Sequence, residues 1–248
     1  MRIEGLRDDT FKSEEYYVAY FDILGTKSRL KEDREGVFSK LWLINNFIKK
    51  ERHKNKNLII RAFSDNYLFA VKVDPNDPME SLNSLYNSAG ALAVECLTVY
   101  GLLVRGAIVR GELYIDDEVV LGESLIHAYE LESKAAVYPR ILIDESAISI
   151  PDTIDWPIRS FDSPLFKDFD SAFCVNTLFF FNKKIRSALE RSIVANVLDA
   201  ARSAFKNKNA SSIEKVEWTK NYVNDFYLQN HGAKIIKNFE GILKGERE

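Results

Sequence analysis

Apolar residues recur along this chain with two different spacings, and the switch between the spacings predicts strands and helices. A run of β-favouring residues over 17–21 predicts a buried strand that ends at Asp22 and enters a turn at Gly25. Over 27–50 the apolar residues recur at helical spacing, which predicts an amphipathic helix. Residues 1–15 are predicted to be a polar lead-in. The chain therefore opens with a strand, a glycine turn and a helix.

The rest of the chain continues this succession of elements. We predict a hairpin over 58–73 that turns at Ser64, Asp65 and Asn66, a helix over 79–100, strands over 102–115, 118–122 and 140–143, and a helix over 123–136. This order is typical of a ferredoxin-like palm, an α+β fold with an antiparallel sheet and helices on one face. Prolines interrupt a loop-rich stretch that runs to residue 170. The chain after residue 176 is predicted to be helical, most clearly over 187–207 and 213–230.

Length and composition limit the classes of function. The 248 residues suffice for one domain over 1–150 and, over 151–248, a remaining sheet element with a C-terminal helical extension packed on it. A net charge of −3 gives no basic field for duplex DNA or RNA, so no nucleic-acid partner is expected. With no apolar run near ~20 residues and a charged start, we expect a cytoplasmic protein without a membrane span. Cys96 and Cys174 are expected to be core residues.

Two acids follow apolar strands and are the candidate metal ligands. Asp22 ends the first strand, and Asp65 sits between the apolar arms of the hairpin. If the hairpin lies beside the first strand, the two carboxylates converge, and without a cation they would repel each other. With one or two Mg²⁺ or Mn²⁺ ions they become ligands for a nucleoside triphosphate. The alternative is that each is an ordinary acid at the tip of a strand.

Two further features suit an anionic ligand. The strand, glycine turn and helix around Gly25 place backbone N–H groups beside Asp22, a geometry suited to a phosphate. Arg105 lies within the most apolar part of its strand, so we expect it to point at an anion or to form a salt bridge with an acid such as Glu112. In the same strand, Gly106 marks a position where a neighbouring backbone or a ligand comes close.

Four segments resemble class III nucleotidyl cyclases, in the family's order. They are FDILG (21–25), FSDNYLFAV (63–71), RGAIVRGELY (105–114) and LGESLIHAYELE (121–132), and the resemblance covers about 16–146. It implies that Asp22, Asp65 and the Ile23 carbonyl hold two Mg²⁺ or Mn²⁺ ions per site. It also implies that Leu24, Gly25 and Thr26 form the phosphate-binding turn.

Departures from the family pattern narrow the expected substrate. Arg61 stands where purine cyclases carry a base-selecting Lys, Val119 replaces their base-selecting acid, and Ile126 and Glu130 replace the ribose-orienting Asn and transition-state Arg. The segments are similar to the bacterial Pycsar pyrimidine cyclases, which make cyclic UMP or cyclic CMP in phage defence. That resemblance implies a head-to-tail homodimer with composite sites and a separate effector that senses the product.

The resemblance also assigns roles to single side chains. Arg105 is expected to be the catalytic cation that replaces the missing Arg. Arg61 is expected to select the base, and its donors favour UTP over CTP because uracil offers two carbonyl acceptors. Tyr67 is expected to narrow the base pocket, with plain core packing as the alternative. Lys167 is expected to be a surface lysine, with a contact to the terminal phosphates as the alternative.

Two other functions are also compatible with the sequence. One is a degenerate cyclase fold that binds a nucleotide or only dimerises, which Val119 and Glu130 favour and the retained acid pair opposes. The other is a purine cyclase with an unusual pocket.

Overall fold

A mixed β-sheet forms the middle of the molecule in the computed structural model, which describes residues 12–148, 156–179, 187–237 and 239–243. Its strands are β1 (Glu14–Ile23), β2 (Leu58–Phe63), β3 (Asn66–Lys72), β4 (Val104–Ile115), β5 (Val120–Leu121), β6 (Ile141–Ile143), β7 (Leu165–Lys167) and β8 (Phe173–Val175). The strands lie in the order β2-β3-β1-β4-β6-β8-β7, and β5 pairs with the far end of β4. The neighbours are antiparallel except for β4 and β6, which are parallel.

Seven helices accompany the sheet in the described part of the chain. They are α1 (Thr26–Glu32), α2 (Arg34–Lys54), α3 (Pro78–Glu95), α4 (Glu123–Ala135), α5 (Ser187–Lys206), α6 (Ala210–His231) and α7 (Phe239–Leu243). A π-helical turn, Cys96–Tyr100, prolongs α3 to Gly101, whose φ of 62° ends the helix. No helix among the described residues combines the length and the apolarity that crossing a bilayer requires.

The central strands β1 and β4 are buried on both faces of the sheet. On one face Tyr17, Phe21 and Ile108 pack under α2 and α3. On the other face Val18 and Val109 pack under α4. The expectation of helices on one face was therefore wrong, because the crossover between the parallel strands β4 and β6 carries α4 over the second face.

The C-terminal helices α5 and α6 extend the second face of the sheet. Val197 on α5 and Tyr222 on α6 share a buried cluster with Ala107 on β4 and Leu142 on β6. The side chain of Asn196 on α5 also donates hydrogen bonds to the carbonyls of the π-helical turn, at 2.7 and 3.0 Å. The tail thus packs directly on the sheet.

Most of the predicted elements are confirmed, including the α+β class, the order of elements through β6 and the two long tail helices. The predicted helix over 27–50 is two helices, because the side chain of Asp33 accepts from the N–H of Gly36 and starts α2. The hairpin turns on two residues, Ser64 and Asp65, rather than three. The loop-rich stretch contains β7. Residues 1–11 of the predicted polar lead-in lie outside the described residues.

Gly106 is required by close packing between β4 and β1. A Cβ atom at this position would lie 2.5 Å from Cδ1 of Phe21 and 2.6 Å from the carbonyl oxygen of Tyr20. This confirms the expectation of a close approach there, and the neighbour is β1 itself. The contact fixes the position of β4 beside the end of β1, where the candidate site lies.

Candidate active site

One face of β1 leads to Asp22. Side chains alternate along a strand, so Val18 and Tyr20 point to the face covered by α4, and Asp22 continues that face at the strand end. In the register of the sheet, Asp22 lies opposite Asn66 on β3 and opposite Arg105 on β4. Its side chain is 21% exposed. The carboxylate is therefore mostly buried but still accessible from one side.

The turn of the β2–β3 hairpin brings Asp65 beside the end of β1. The carbonyl of Asp65 accepts a hydrogen bond from the N–H of Ile23 at 3.1 Å. Burial is the main cause that raises the pKa of Asp22; Arg105 lowers this pKa, and the negative charge of Asp65 raises it. The structure thus brings together the two aspartates that the sequence pattern singled out.

A pocket of about 480 Å³ opens beside these aspartates. Its lining includes Asp22, Ile23 and Asp65 together with Gly25 and Thr26. Gly25 has a φ of +82°, which lets the chain leave β1 and enter α1 at once. The candidate metal ligands and most of the candidate phosphate turn therefore face the same space.

One member of the candidate phosphate turn is already engaged. The N–H of Leu24 donates to the carbonyl of Leu103 at 2.8 Å, so it offers no donor to a phosphate. The hydroxyl of Thr26 donates to the carbonyl of Ile23 at 2.9 Å and closes the turn. Of the three residues, only Gly25 and Thr26 line the pocket.

The oxygen atoms that face the pocket suit a divalent cation. Within the described chain, Oδ1 of Asp22 and Oδ2 of Asp65 accept no hydrogen bond, and the Ile23 carbonyl keeps one lone pair beside its bond from Thr26. Two carboxylates and a carbonyl fit Mg²⁺ or Mn²⁺, which retain positions for water and phosphate oxygens. No group of three or more His, Cys, Asp or Glu side chains placed to hold a metal occurs among the described residues. Substrate oxygens would therefore have to complete the coordination.

Arg105 lies between two acids. Its Nε donates to Oδ2 of Asp22 at 3.1 Å and also lies 2.6 Å from Oε1 of Glu132 on α4. Its Nη1 reaches the carbonyl of Ala136 at 3.5 Å. Arg105 therefore pairs with Asp22 and Glu132, not with Glu112, which instead accepts from Ser13 at 3.0 Å.

Glu132 is a site residue that the sequence-based predictions missed. Its side chain is 3% exposed, and burial is the main cause that raises its pKa to about 7, with Arg105 opposing that rise. Oε1 has no hydrogen bond of normal geometry, because the Nε hydrogen of Arg105 points at Asp22. A signal existed: Ser124, Ala128 and Glu132 recur every four residues on the buried side of α4.

Tyr20 is influenced by the charges of several acids at the site. Burial first, and then the charges of Glu132, Asp22 and Asp65, raise the pKa of this half-buried tyrosine to about 12. Three carboxylate charges thus act on one tyrosine at the end of β1. A cluster of this charge needs the guanidinium of Arg105 or a bound cation to balance it.

Arg61 lies on the same face of the sheet as Asp22. It pairs with Leu68 across the hairpin, and Leu68 in turn pairs with Tyr20. The guanidinium donates to the carbonyl of Asp116 in the turn before β5, and to its neighbour Ile60 at 3.2 Å. The candidate base-selecting side chain is therefore held toward the β4–β5 turn.

Two residues predicted from sequence are not brought to the site within this chain. Tyr67 is fully buried and packs with Phe21 on the opposite face, under α2 and α3. Lys167 lies on β7, at the far edge of the sheet. Four strand spacings separate it from β1, roughly 19 Å.

The C-terminal helices contribute a cation to which the sequence alone assigns no role. Lys215, near the start of α6, is half-buried, and its charge is close enough to lower the pKa of Asp22. The tail is expected from sequence to serve packing or partner contact. Nothing in the local sequence marks Lys215, because its position depends on how α6 docks on the sheet.

No protein-family model matches the chain, and no curated protein does. Among solved structures, the chain is similar to the adenylyl cyclase CyaB from P. aeruginosa, with 20% identity, 66% of this chain and 93% of that chain covered, and a TM-score of 0.49. It is similar to the guanylyl cyclase Cya2 with 14% identity, 66% and 92% covered, and a TM-score of 0.48. It is also similar to the dimeric guanylyl cyclase domain of RhoGC from Blastocladiella emersonii, with 17% identity, 55% of this chain and 83% of that chain covered, and a TM-score of 0.45. All three TM-scores lie below 0.5, so these likenesses do not establish the function of this chain.

Proposed function

We propose that this protein is a metal-dependent pyrimidine nucleotide cyclase, which converts UTP or CTP to the 3',5'-cyclic monophosphate and pyrophosphate. The observation that carries the proposal is the convergence of Asp22, Asp65 and Arg105 beside the turn at Gly25. Two acids with free oxygens, a guanidinium and a glycine turn are the groups that phosphoryl transfer needs.

Each group has a defined task in this proposal. Divalent cations, when bound, supply positive charge to the triphosphate and lower the pKa of the ribose 3'-hydroxyl. Asp22, Asp65 and the Ile23 carbonyl hold the cations. Arg105 leaves its contact with Asp22 and donates to the negative charge that develops on the α-phosphate. When Asp22 binds a cation instead of Arg105, Glu132 holds the Arg105 guanidinium at the site.

Arg61 is the proposed base-selecting residue. Its guanidinium carries donors and no acceptor, so it pairs with carbonyl oxygens of a base. Uracil offers two such oxygens and cytosine one, which favours UTP. Tyr67 has no part in this proposal, because its ring is buried on the other face of the sheet.

A homodimer with composite sites is part of the proposal. Three large apolar side chains on α4 and just after it are at least half exposed: Ile126, Tyr129 and Val137. Such a group is typical of a surface that pairs with another chain. We further propose that the cyclic product acts on a separate effector in anti-phage defence, and that the protein works in the cytoplasm.

A second candidate is a catalytically degenerate cyclase fold that binds nucleotide or only dimerises. The ion pair between Arg105 and Asp22 favours it, because a carboxylate committed to an arginine is a weaker metal ligand. The two candidates differ in one outcome, the formation of product.

The test is to incubate the purified protein with each of the four ribonucleoside triphosphates and Mn²⁺, and to identify products by mass spectrometry. We expect cyclic UMP or cyclic CMP together with pyrophosphate. Cyclic AMP or cyclic GMP as the main product would identify a purine cyclase. Absence of any cyclic nucleotide, with nucleotide binding retained, would establish the degenerate alternative.

A further inference from the structure

A second pocket, of about 390 Å³, lies next to the candidate active site. The two pockets share Gly25, Ser28 and Glu32 as lining residues, so they meet along the turn after β1 and along α1. The far wall of the second pocket comes from α5, α6 and the residues between them. The space beside the metal ligands therefore continues toward the C-terminal helices.

Two cations line this second pocket without a carboxylate partner. Neither Arg29 nor Lys215 has an acid within ion-pair distance in the described part of the chain. The Arg29 side chain donates to the carbonyl of Gly101 at 3.2 Å, and burial lowers its pKa. The one acid in the lining, Glu32, accepts from Asn207 at 3.2 Å. The side chains that line the pocket thus carry a net charge of +1.

An unpaired cation that is half-buried costs free energy in the empty protein, and an anionic ligand would recover it. The anion must be able to reach from the aspartates into this pocket. A polyphosphate chain fits both requirements, because its α-phosphate can stay beside Asp22 while the outer phosphates extend along α1. Charged donors make the stronger hydrogen bonds to phosphate oxygens.

We infer that the second pocket binds the β- and γ-phosphates of the substrate, with Lys215 of the C-terminal helix α6 as their principal contact. The inference rests on the proposed function for the presence of a nucleotide, and it deepens that function by assigning part of the substrate site to the tail. Lys215 then takes the terminal-phosphate task for which Lys167 is the sequence-based candidate. After cyclisation the same contacts hold the pyrophosphate until it leaves.

The test is calorimetric binding of inorganic tripolyphosphate and of UMP, each with Mg²⁺, to the full-length protein and its variants. We expect Lys215→Ala to weaken tripolyphosphate binding at least about tenfold and to leave UMP binding unchanged. Lys215→Arg should restore most of the affinity, because the charge is kept. Lys206→Ala is the matched control, since Lys206 ends α5, is exposed and does not line the pocket.

Two outcomes would overturn the inference. One is unchanged tripolyphosphate binding in Lys215→Ala, or no measurable binding by the unaltered protein. The other is an equal loss of tripolyphosphate and UMP binding, which would mean that the substitution disturbs the whole site. Since tripolyphosphate binding needs no cyclisation, a protein that makes no cyclic nucleotide could still show the Lys215 effect. Failure of the proposed function is thus distinguishable from failure of this inference.

Discussion

Arg105 donates a hydrogen bond to Asp22 across two adjacent strands, at 3.1 Å between Nε and Oδ2. The pair joins the candidate catalytic cation to the first candidate metal ligand. Because an arginine and a metal ion compete for the same carboxylate, metal binding is expected to displace the guanidinium toward the substrate and Glu132. The contact therefore keeps Arg105 within reach of the position where its charge is needed.

Loss of either candidate metal ligand is expected to abolish turnover. Asp22→Ala and Asp65→Ala should each lower the Mn²⁺-dependent rate at least about a hundredfold, because a cation contributes several kcal/mol to the stabilisation of transition-state charge. The measurement is cyclic nucleotide formed per minute, with thermal unfolding as a check of the fold. Asp199→Ala is the matched control, since that acid is exposed on α5 and pairs only locally with Arg202. A near-normal rate in either site variant would contradict the assignment of Asp22 and Asp65 as metal ligands.

Arg105→Ala is expected to reduce turnover and, in a pH-dependent way, stability. The rate should fall about a hundredfold or more if the guanidinium donates to transition-state charge. The free energy of unfolding should fall more at pH 8 than at pH 5.5. At pH 8 the buried Glu132 is ionised and needs the positive charge of Arg105, whereas at pH 5.5 it is protonated and does not. Arg110→Ala is the control on the same strand, where an exposed pair with Glu15 contributes little. Equal activity in both variants would contradict the catalytic role.

Glu132 is expected to make the metal-free protein less stable as pH rises. Its folded-state pKa of about 7 lies above its ordinary value of 4.5, so between these values the folded state binds a proton that the unfolded state has released. The contribution of Glu132 to stability should therefore be fully present below about pH 4.5 and be lost as the pH rises to about 7, by on the order of 3 kcal/mol. Urea midpoints across this range measure the effect.

Two variants separate this contribution from other titrating groups. Glu132→Gln should flatten the slope of stability against pH, because its side chain stays neutral. Glu130→Gln, on the same helix but exposed and paired with Lys134, should leave the slope unchanged. An unaltered slope in Glu132→Gln would show that the carboxyl group is ionised throughout.

Arg61→Ala is expected to reduce the selectivity among the four bases more than it lowers the rate of cyclisation. The ratio of kcat/KM for UTP to that for each other triphosphate should fall about tenfold, which corresponds to the loss of one charge-assisted hydrogen bond. Lys72→Ala, on the other strand of the hairpin, is the control, because Lys72 pairs with Glu14 on the surface. An unchanged preference among the four triphosphates would remove Arg61 from the base site.

The parts of the site that could be predicted from sequence share one property, a position fixed by strand ends. Asp22 and Asp65 converge because Asp22 lies at the end of β1 and Asp65 directly precedes β3, the antiparallel neighbour of β1. The alternation of side chains along the strands also predicts which face of the sheet Tyr67 occupies. Its antiparallel partner is Phe21, which faces away from Asp22, so Tyr67 must face away as well.

The parts that could not be predicted from sequence depend on how helices dock. On α4 the apolar Ile126 and Tyr129 are both more than half exposed, while the charged Glu132 is buried. Apolar residues lie around much of α4, so spacing alone does not decide which side meets the sheet. Lys215 enters the site region from a helix about 190 residues after Asp22 in the chain, and no local pattern encodes such a meeting.

Asn196 closes the end of the helical segment that finishes at Tyr100, by donating to the carbonyls of Leu97 and Thr98, which lie 99 and 98 residues earlier in the chain. Those carbonyls lie just before the loop that enters β4. A ribosome must therefore synthesise most of the polypeptide before the strand that carries Arg105 acquires its final support. The nascent sheet therefore has to wait for the tail, so the synthesis of the last helices sets the earliest moment at which the sheet can be complete.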